Sequence, residues 1–396
     1  MTQDPSTTTG AQARLVDDET LEAIRDSVRQ ICNRFDGPYW QDLERDGGRY
    51  PTGFIDELTE SGWLSLLIPE EYGGGGAGIT EAGVVLEEIH RSGANANACH
   101  AQMYTMGVLL NHGSDAQKQK YLPEIAAGKL RLQAFAVTEP DAGSDTSQIR
   151  TQAVRDKDGW VINGQKIYIS RAEFSDLMVL LARTGSAETG TKGLSIFLVD
   201  LREAGDAVQL QRIPMTFNHH TYQVFITDLR LPEDALVGEL DNGFRHIIDG
   251  WNAERILVSS EAIGDARFFI DRATTYAKER RIFGRPIGMN QGIQFPLAQA
   301  KAQTEAADLM RFEAARLFDT RQKCGAQANM AKLLASQASW AAGNAAVTTY
   351  GGNSFAVEYD IERKLRETKL LEIAPVSNNL ILSYVAQHVL GLDRSY

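Results

Sequence analysis

Ala136-Val137-Thr138-Glu139-Pro140-Asp141-Ala142-Gly143-Ser144-Asp145 marks the point where the chain changes texture. Ahead of it, from about Leu15 to Lys129, apolar residues recur at helical spacing. Val85, Leu86 and Ile89 form one such stripe, with Glu87 and Glu88 on its flank. Behind it the period drops to two. Trp160 and Ile162, then Ile167 and Ile169, alternate with other residues, and Asp158-Gly159 between two short runs signals a hairpin. Further β-rich pieces at 176–182, 194–201 and 222–227 are split by turn residues.

After about Leu240 helical texture returns. Ile293, Leu297, Ala300, Thr304, Ala307, Met310, Ala314 and Leu317 recur at steps of three and four, one face of a long helix. An alanine-rich segment follows at 328–346, and small side chains let helices approach closely. The expected architecture is mainly α with a β middle domain. It comprises an N-terminal helical domain over 13–133, a small antiparallel β barrel or sandwich over 134–240, and a C-terminal helical bundle over 241–396. Residues 1–12 are polar and read as a disordered lead-in.

The chain's 396 residues exceed what one hydrophobic core serves, which agrees with several domains. Forty basic residues against 52 acidic give a net charge of −12. That excludes a general binder of nucleic acid or anionic membrane, whose affinity rests on Lys and Arg. Cys32, Cys99 and Cys324 are far apart and in no CxxC pair, so neither a disulfide framework nor a zinc site is expected. Met1 to Gly10 has no apolar core and no basic run, so no secretory leader is expected and a cytoplasmic location is. No apolar stretch is long enough for a membrane span.

Gly73-Gly74-Gly75-Gly76 lacks the following Gly-Lys-Ser/Thr of a phosphate loop and reads as a plain surface loop. Gly73, Gly75 and Gly78 spell GxGxxG inside the same run, with no convincing strand before them. A Rossmann site therefore has little support, and a nucleotide cofactor must be held another way. His219-His220 shows no metal-ligand spacing, is read as β-domain surface, and no metal is expected.

Four motifs carry a resemblance. Val137-Thr138-Glu139-Pro140 with Ala142-Gly143-Ser144-Asp145 resembles a signature of the acyl-CoA dehydrogenase family. Asn163-Gly164-Gln165-Lys166-Ile167-Tyr168-Ile169-Ser170 resembles its second flavin segment. Tyr276, Arg280, Phe283-Gly284-Arg285-Pro286-Ile287 and Gln291 resemble the third, and Tyr350-Gly351-Gly352-Asn353 the fourth. They occur in family order across about residues 15–392, within the α–β–α plan.

The resemblance implies FAD, bound without a Rossmann fold. By similarity, Phe135, Val137 and Thr138 line the isoalloxazine, and Tyr168 and Ser170 cover and hydrogen-bond it. Tyr168 stands where many members have Trp, and either gives an aromatic face. Arg280, Phe283 and Gln291, with Gly351 and Gly352, are expected to contact the flavin of a neighbouring subunit, which implies a homo-oligomer, a dimer or tetramer. The planar fork of Arg suits pyrophosphate. Ser377 and Asn379 fall near the flavin in the same comparison, and Ser144 meets the CoA part of an acyl-CoA substrate.

The implied reaction takes an α-proton and a β-hydride from an acyl thioester, and a desolvated carboxylate suits the proton. Many members carry a Glu shortly after the Gly-Gly-Asn motif, but here Pro375 occupies that position in Ile373-Ala374-Pro375-Val376. Proline also lacks the backbone N–H that would donate to the thioester oxygen. Trp251-Asn252-Ala253-Glu254-Arg255-Ile256-Leu257 resembles the helix that carries the base in isovaleryl-CoA and long-chain members. Glu254 matches that base, Arg255 a substrate-side Arg, and Trp251 stands beside them; Glu372 is the competing carboxylate. His100 lies on a helix resembling the floor of the acyl pocket, where it could meet a polar or short acyl tail.

The expected function is dehydrogenation of an acyl-CoA to the trans-2-enoyl-CoA, with electrons passed to an electron-transferring flavoprotein. Two alternatives stay open: the same fold running oxidase, desulfinase or monooxygenase chemistry, and a flavin- or CoA-binding protein without turnover. A small Ala374 beside Pro375 is expected to enlarge the acyl pocket.

Overall fold

The computed structural model describes residues 16–45 and 47–395. The lead-in expected at 1–12 lies outside the described residues. Six helices come first: α1 (Asp18–Cys32), α2 (Gly37–Arg45), α3 (Thr52–Glu60), α4 (Ile79–Arg91), α5 (Asn97–His112) and α6 (Asp115–Ala126). Local chemistry sets their starts. The Asp17 carboxylate accepts from Thr20 N at 2.8 Å, and Ser114 and Gln117 form a reciprocal cap at α6. The glycine run is a surface loop ahead of α4, as expected.

On helix α4 the flanking Glu87 and Glu88 are buried along with Val85, Leu86 and Ile89. Each is answered by a distant cation. Glu87 Oε2 accepts from Arg311 Nη2 at 2.7 Å and also pairs with Arg267; Glu88 Oε1 accepts from Arg29 Nε at 2.7 Å. A helix enclosed on all sides can hold carboxylates only when they are paired.

The strands follow: β1 (Leu132–Ala136), β2 (Gln152–Asp156), β3 (Gly159–Ser170), β4 (Leu177–Arg183), β5 (Leu194–Asp200), β6 (Val208–Arg212), β7 (Thr221–Pro232) and β8 (Leu236–Val237). The hairpin at Asp158-Gly159 forms, with Asp156 opposite Gly159. The strands make one sheet in the order β6-β7-β3-β2-β4-β5-β8, with β1 on β4. Most pairs are antiparallel, but β1 and β2 both pair with β4 in parallel, so the sheet is mixed rather than wholly antiparallel. The sequence carries the reason. Every residue of β4, Leu177 to Arg183, is buried, the near-continuous apolar run of a strand covered on both faces. Leu177, Val179 and Leu181 pack against α5 and α6 through Met106, Leu109, Leu122 and Ile125. Met178, Leu180 and Ala182 pack inward with Trp160, Phe197 and Tyr222.

The C-terminal part is a bundle. Helix α7 (Gly243–Glu279) runs for 37 residues. It leads through the short pair β9 (Arg281–Ile282) and β10 (Arg285–Pro286) to α8 (Gln291–Asp319), α9 (Gly325–Tyr350), α10 (Ile361–Leu370) and α11 (Asn378–Tyr384). Leu297, Ala300, Thr304, Ala307, Ala314 and Leu317 of the expected stripe are buried on α8. The alanines of α9 are buried against neighbouring helices. Two features lock the bundle to the N-terminal helices. Asp319, the last residue of α8, accepts from Ile79 N at 2.8 Å and Thr80 N at 3.1 Å, capping α4 from 240 residues away. At Gly264 of α7 a Cβ would lie 2.3 Å from Glu87 O and 2.7 Å from His90 Cβ, so α7 and α4 meet at backbone distance.

Candidate active site

Three acids, Glu254, Glu261 and Asp265, recur along α7 at steps of seven and four, which keeps them on one side of the helix. All three are buried, and two are answered. Asp265 Oδ1 lies 2.8 Å from His90 Nδ1 and 2.6 Å from Lys364 Nζ. Burial works against its charge, yet Lys364 and His90 hold it down to about 2. Glu261 Oε1 is 3.1 Å from His100 Nδ1 and 3.7 Å from His90 Nε2; against burial, the two histidines keep it below its usual range.

Glu254 is the exception. No hydrogen bond or ion pair reaches its carboxylate among the described residues. Burial pushes it up to about 7; His100, Arg255 and Lys332 pull the other way, while Glu261 adds to the rise. An acid poised near neutrality by desolvation can take and release a proton at working pH.

Packing brings the β domain to this acid. Trp251, one turn before Glu254, and Phe244 belong to the same apolar cluster as Phe135 and Val137. Phe135 lies edge-on to Tyr104 with ring centres 5.3 Å apart, and Tyr104 is 5.2 Å from the His100 ring. Arg255 sits over the Trp251 ring at 5.7 Å and donates to Asn252 Oδ1 at 3.3 Å. Trp251, Phe135 and Val137 thus share one apolar cluster, and ring contacts run from Phe135 through Tyr104 to His100.

A buried ion pair fixes the Val137-Thr138 edge. Lys166 Nζ donates to Val137 O and to Glu139 Oε1, both at 2.9 Å. Glu139 also accepts from the amides of Arg150 and Thr151 at 2.7 and 2.8 Å, and Ile167 N donates to Thr138 O at 2.9 Å. Burial lowers Lys166 to about 8, with Glu139 resisting. Tyr168 is 59% exposed at φ 60°, an open aromatic face on a left-handed backbone. Ser170 Oγ accepts from Asn218 Nδ2 at 3.0 Å. Ser144 is exposed on the turn that follows Glu139.

The remaining flavin candidates meet elsewhere. Arg280, Phe283, Gly351 and Gly352, with Tyr276, Asn290 and Asn353, line an open cleft of about 850 Å³; none of the first group lines it. Gln291 is exposed next to Asn290 at its edge. Phe283 is 100% exposed at φ 50°, and Arg280 makes no ion pair among the described residues. A Cβ at Gly351 or Gly352 would touch nothing, so the backbone there lies open to a ligand. A bare aromatic, an uncompensated guanidinium and open glycines fit a large, anionic, aromatic cofactor such as FAD.

The segment after α10 supplies no rival base. Pro375 is exposed, and the Ala374 amide is spent on Leu370 O at 2.9 Å. Glu372 is paired with Lys369. Ser377 Oγ caps α11 by accepting from Leu380 N at 3.4 Å, and Asn379 is exposed. Lys332, buried on α9, pins the segment by donating to Val376 O at 2.8 Å and Asn378 Oδ1 at 3.0 Å; burial lowers it to about 8.

Sequence reasoning missed Glu261, Tyr104 and Lys332, and gave Glu139 and Lys166 no role. Two signals were present. Glu261 follows Glu254 by two helical turns, and Lys332 is the single charge in the alanine-rich run 328–346. The surface expected for His219-His220 is corrected. His219 Nε2 lies 2.9 Å from Glu44 Oε1, and His220 packs edge-on to Phe174 at 4.7 Å, where burial lowers it to about 4.

Sequence models of the acyl-CoA dehydrogenase N-terminal, middle and C-terminal domains match residues 18–129, 134–228 and 241–390. The chain is 37% identical over 384 residues to the acyl-CoA dehydrogenase FadE12 of Mycobacterium tuberculosis, covering 96% of this chain and 98% of that one. Its fold is similar to glutaryl-coenzyme A dehydrogenase in complex with glutaryl-CoA, at TM-score 0.89 and 28% identity over 96% of this chain and 98% of that one. It is likewise similar to butyryl-CoA dehydrogenase from Megasphaera elsdenii, at TM-score 0.89 and 26% identity over 95% and 100%.

Proposed function

The chain belongs to the acyl-CoA dehydrogenase family, and we propose that it converts a saturated acyl-CoA to the trans-2-enoyl-CoA with Glu254 as the base. The observation that carries this reading is the buried Glu254 carboxyl, unpartnered among the described residues and raised to about 7, one turn after Trp251. The family's three domains are assigned here to 13–133, 134–240 and 241–396.

FAD, when bound, supplies the acceptor for the β-hydride. Phe135, Val137, Thr138, Tyr168 and Ser170 hold it from one subunit, with Ser377 and Asn379 near it. Arg280, Phe283, Gln291, Gly351 and Gly352 hold it from a neighbour, so the active form is a homo-oligomer. The other steps belong to the protein. Ser144 meets the CoA portion. Trp251 and Phe135 wall the pocket and exclude water, which keeps the carboxyl of Glu254 basic enough to take the α-proton. Arg255 and His100 oppose the rise, so the acid ionises near neutral pH instead of far above it. The electrons leave to an electron-transferring flavoprotein, in the cytoplasm. Among the described residues no helix is long and apolar enough to cross a membrane.

Pro375 favours a second reading. It removes one backbone donor from the thioester oxygen, a loss worth about 10²–10³ in rate elsewhere. The same fold could then serve an oxidase, a desulfinase or a monooxygenase. Anaerobic mixing with straight, branched and dicarboxylic acyl-CoAs separates these readings. Loss of the visible flavin absorbance and formation of enoyl-CoA without oxygen support the dehydrogenase. Peroxide release on aeration without a carrier supports the oxidase, and combined consumption of oxygen and a reductant supports the monooxygenase.

A further inference from the structure

Three side chains near Tyr104 and Tyr50 carry polar atoms that no described residue answers, His100 Nε2, Gln133 Nε2 and Arg171 Nε, and Arg171 lines a cleft with Tyr50, Asn97, Ala98 and Asn218. The three come from α5, from β1 and from the residue following β3. His100 is 8% exposed and Gln133 1%, so neither atom is turned to bulk solvent.

Two tyrosines tie these groups into one place. The Tyr104 ring touches the rings of His100 and Phe135. Its hydroxyl is raised by burial, raised further by Glu254 and lowered by Arg171, so both charges act on one phenol. The Tyr50 hydroxyl donates to Gln133 Oε1 at 3.0 Å and also feels Arg171. Arg171 itself donates from Nη1 to Asn218 Oδ1 at 3.2 Å, and no carboxylate pairs with it among the described residues.

We propose that the acyl group handled here ends in an oxygen acceptor, best matched by a carboxylate, held by Arg171, Gln133 and His100 at the end of the pocket remote from the thioester. This rests on the dehydrogenase reading and names its substrate class. An alkyl tail leaves these polar atoms unpaired. A carboxylate offers about four lone-pair sites, enough for a guanidinium and an amide together. Glu261 beside His100 Nδ1 draws that N–H toward itself and leaves Nε2 facing the ligand. That nitrogen donates to a carboxylate when the ring is charged and accepts from a hydroxyl when it is neutral.

The test measures binding without turnover, using the FAD-loaded Glu254→Gln protein. CoA thioesters of equal chain length, ending in methyl, hydroxyl or carboxylate, are titrated by calorimetry. The carboxylate is expected to bind at least about tenfold tighter than the methyl partner. Arg171→Met should erase that preference, Gln133→Leu should reduce it, and Arg171→Lys should retain part of it. Should Arg171→Met not fold, the other two variants still decide. Equal or tighter binding of the methyl compound overturns the inference, as does a preference untouched by the Arg171 and Gln133 variants. A carboxylate preference in a protein that never forms enoyl-CoA overturns the dehydrogenase reading alone. Dehydrogenation of alkyl chains with no preference overturns this inference alone, and failure to bind any thioester overturns both.

Discussion

Glu254 is costly to ionise where it stands. Free glutamate ionises near 4.5, whereas burial moves this one up to about 7. The unfolded chain therefore loses the proton first as pH rises. The stabilisation is complete below about pH 4.5 and is lost as pH climbs through about 7, to a total of about 3 kcal/mol. Glu254→Gln should then match the native protein in acid and be more stable than it above neutrality, by about that amount. Thermal melts across pH check this; a variant equally or less stable at alkaline pH contradicts it. The kcat/KM of the native protein should rise with pH through about 7 as the base ionises. Glu254 was legible because its helix resembles a family segment and Pro375 removes the loop alternative. Its partners were not. Glu261 reads as one more helical acid until α4 and α5 bring His90 and His100 to it.

Elements place these residues through contacts that leave no spare room. Gly264 lets α7 touch α4, and that approach sets Glu261 and Asp265 against His90. Gly264→Ala should cost about 1–3 kcal/mol through overpacking, read as a fall in the denaturation midpoint, despite alanine's better helix propensity. An unchanged midpoint would mean that the helices can part without cost. Lys332→Met should leave Val376 O and Asn378 Oδ1 without their cation, lower stability by about 2 kcal/mol and loosen the segment before α11. Hydrogen exchange at Val376–Asn378 reports the loosening. Periodicity made α8 and the β2–β3 hairpin legible, since each shows its buried face in the local spacing. It located β4 and α4 as well but not their partners, since both are almost wholly buried and show no polar face from which to read a neighbour.

Across the whole molecule, the residues proposed to hold flavin fall into two groups on one chain, and the second lines an open cleft. Phe135 and Val137 share an apolar cluster with Trp251, while Arg280, Phe283 and the paired glycines stand open elsewhere. The proposed assembly joins one group to the other in a neighbouring subunit. Arg280→Ala and Phe283→Ala should weaken FAD retention by tenfold or more without lowering the melting point of the FAD-free protein, about 1.4 kcal/mol of binding lost. Dilution of the native protein should release FAD as the oligomer parts, and sedimentation followed at the flavin absorbance checks both. FAD retained by a monomer contradicts the shared site.

The most direct test of Glu254 as the base compares the anaerobic rate of flavin reduction by acyl-CoA in the native protein, Glu254→Gln and Glu372→Gln at about pH 8, where the base is ionised. The prediction is a loss of at least about 10²-fold for Glu254→Gln with FAD still bound, and a near-native rate for Glu372→Gln. A native rate in Glu254→Gln, or a collapse confined to Glu372→Gln, would place the base elsewhere.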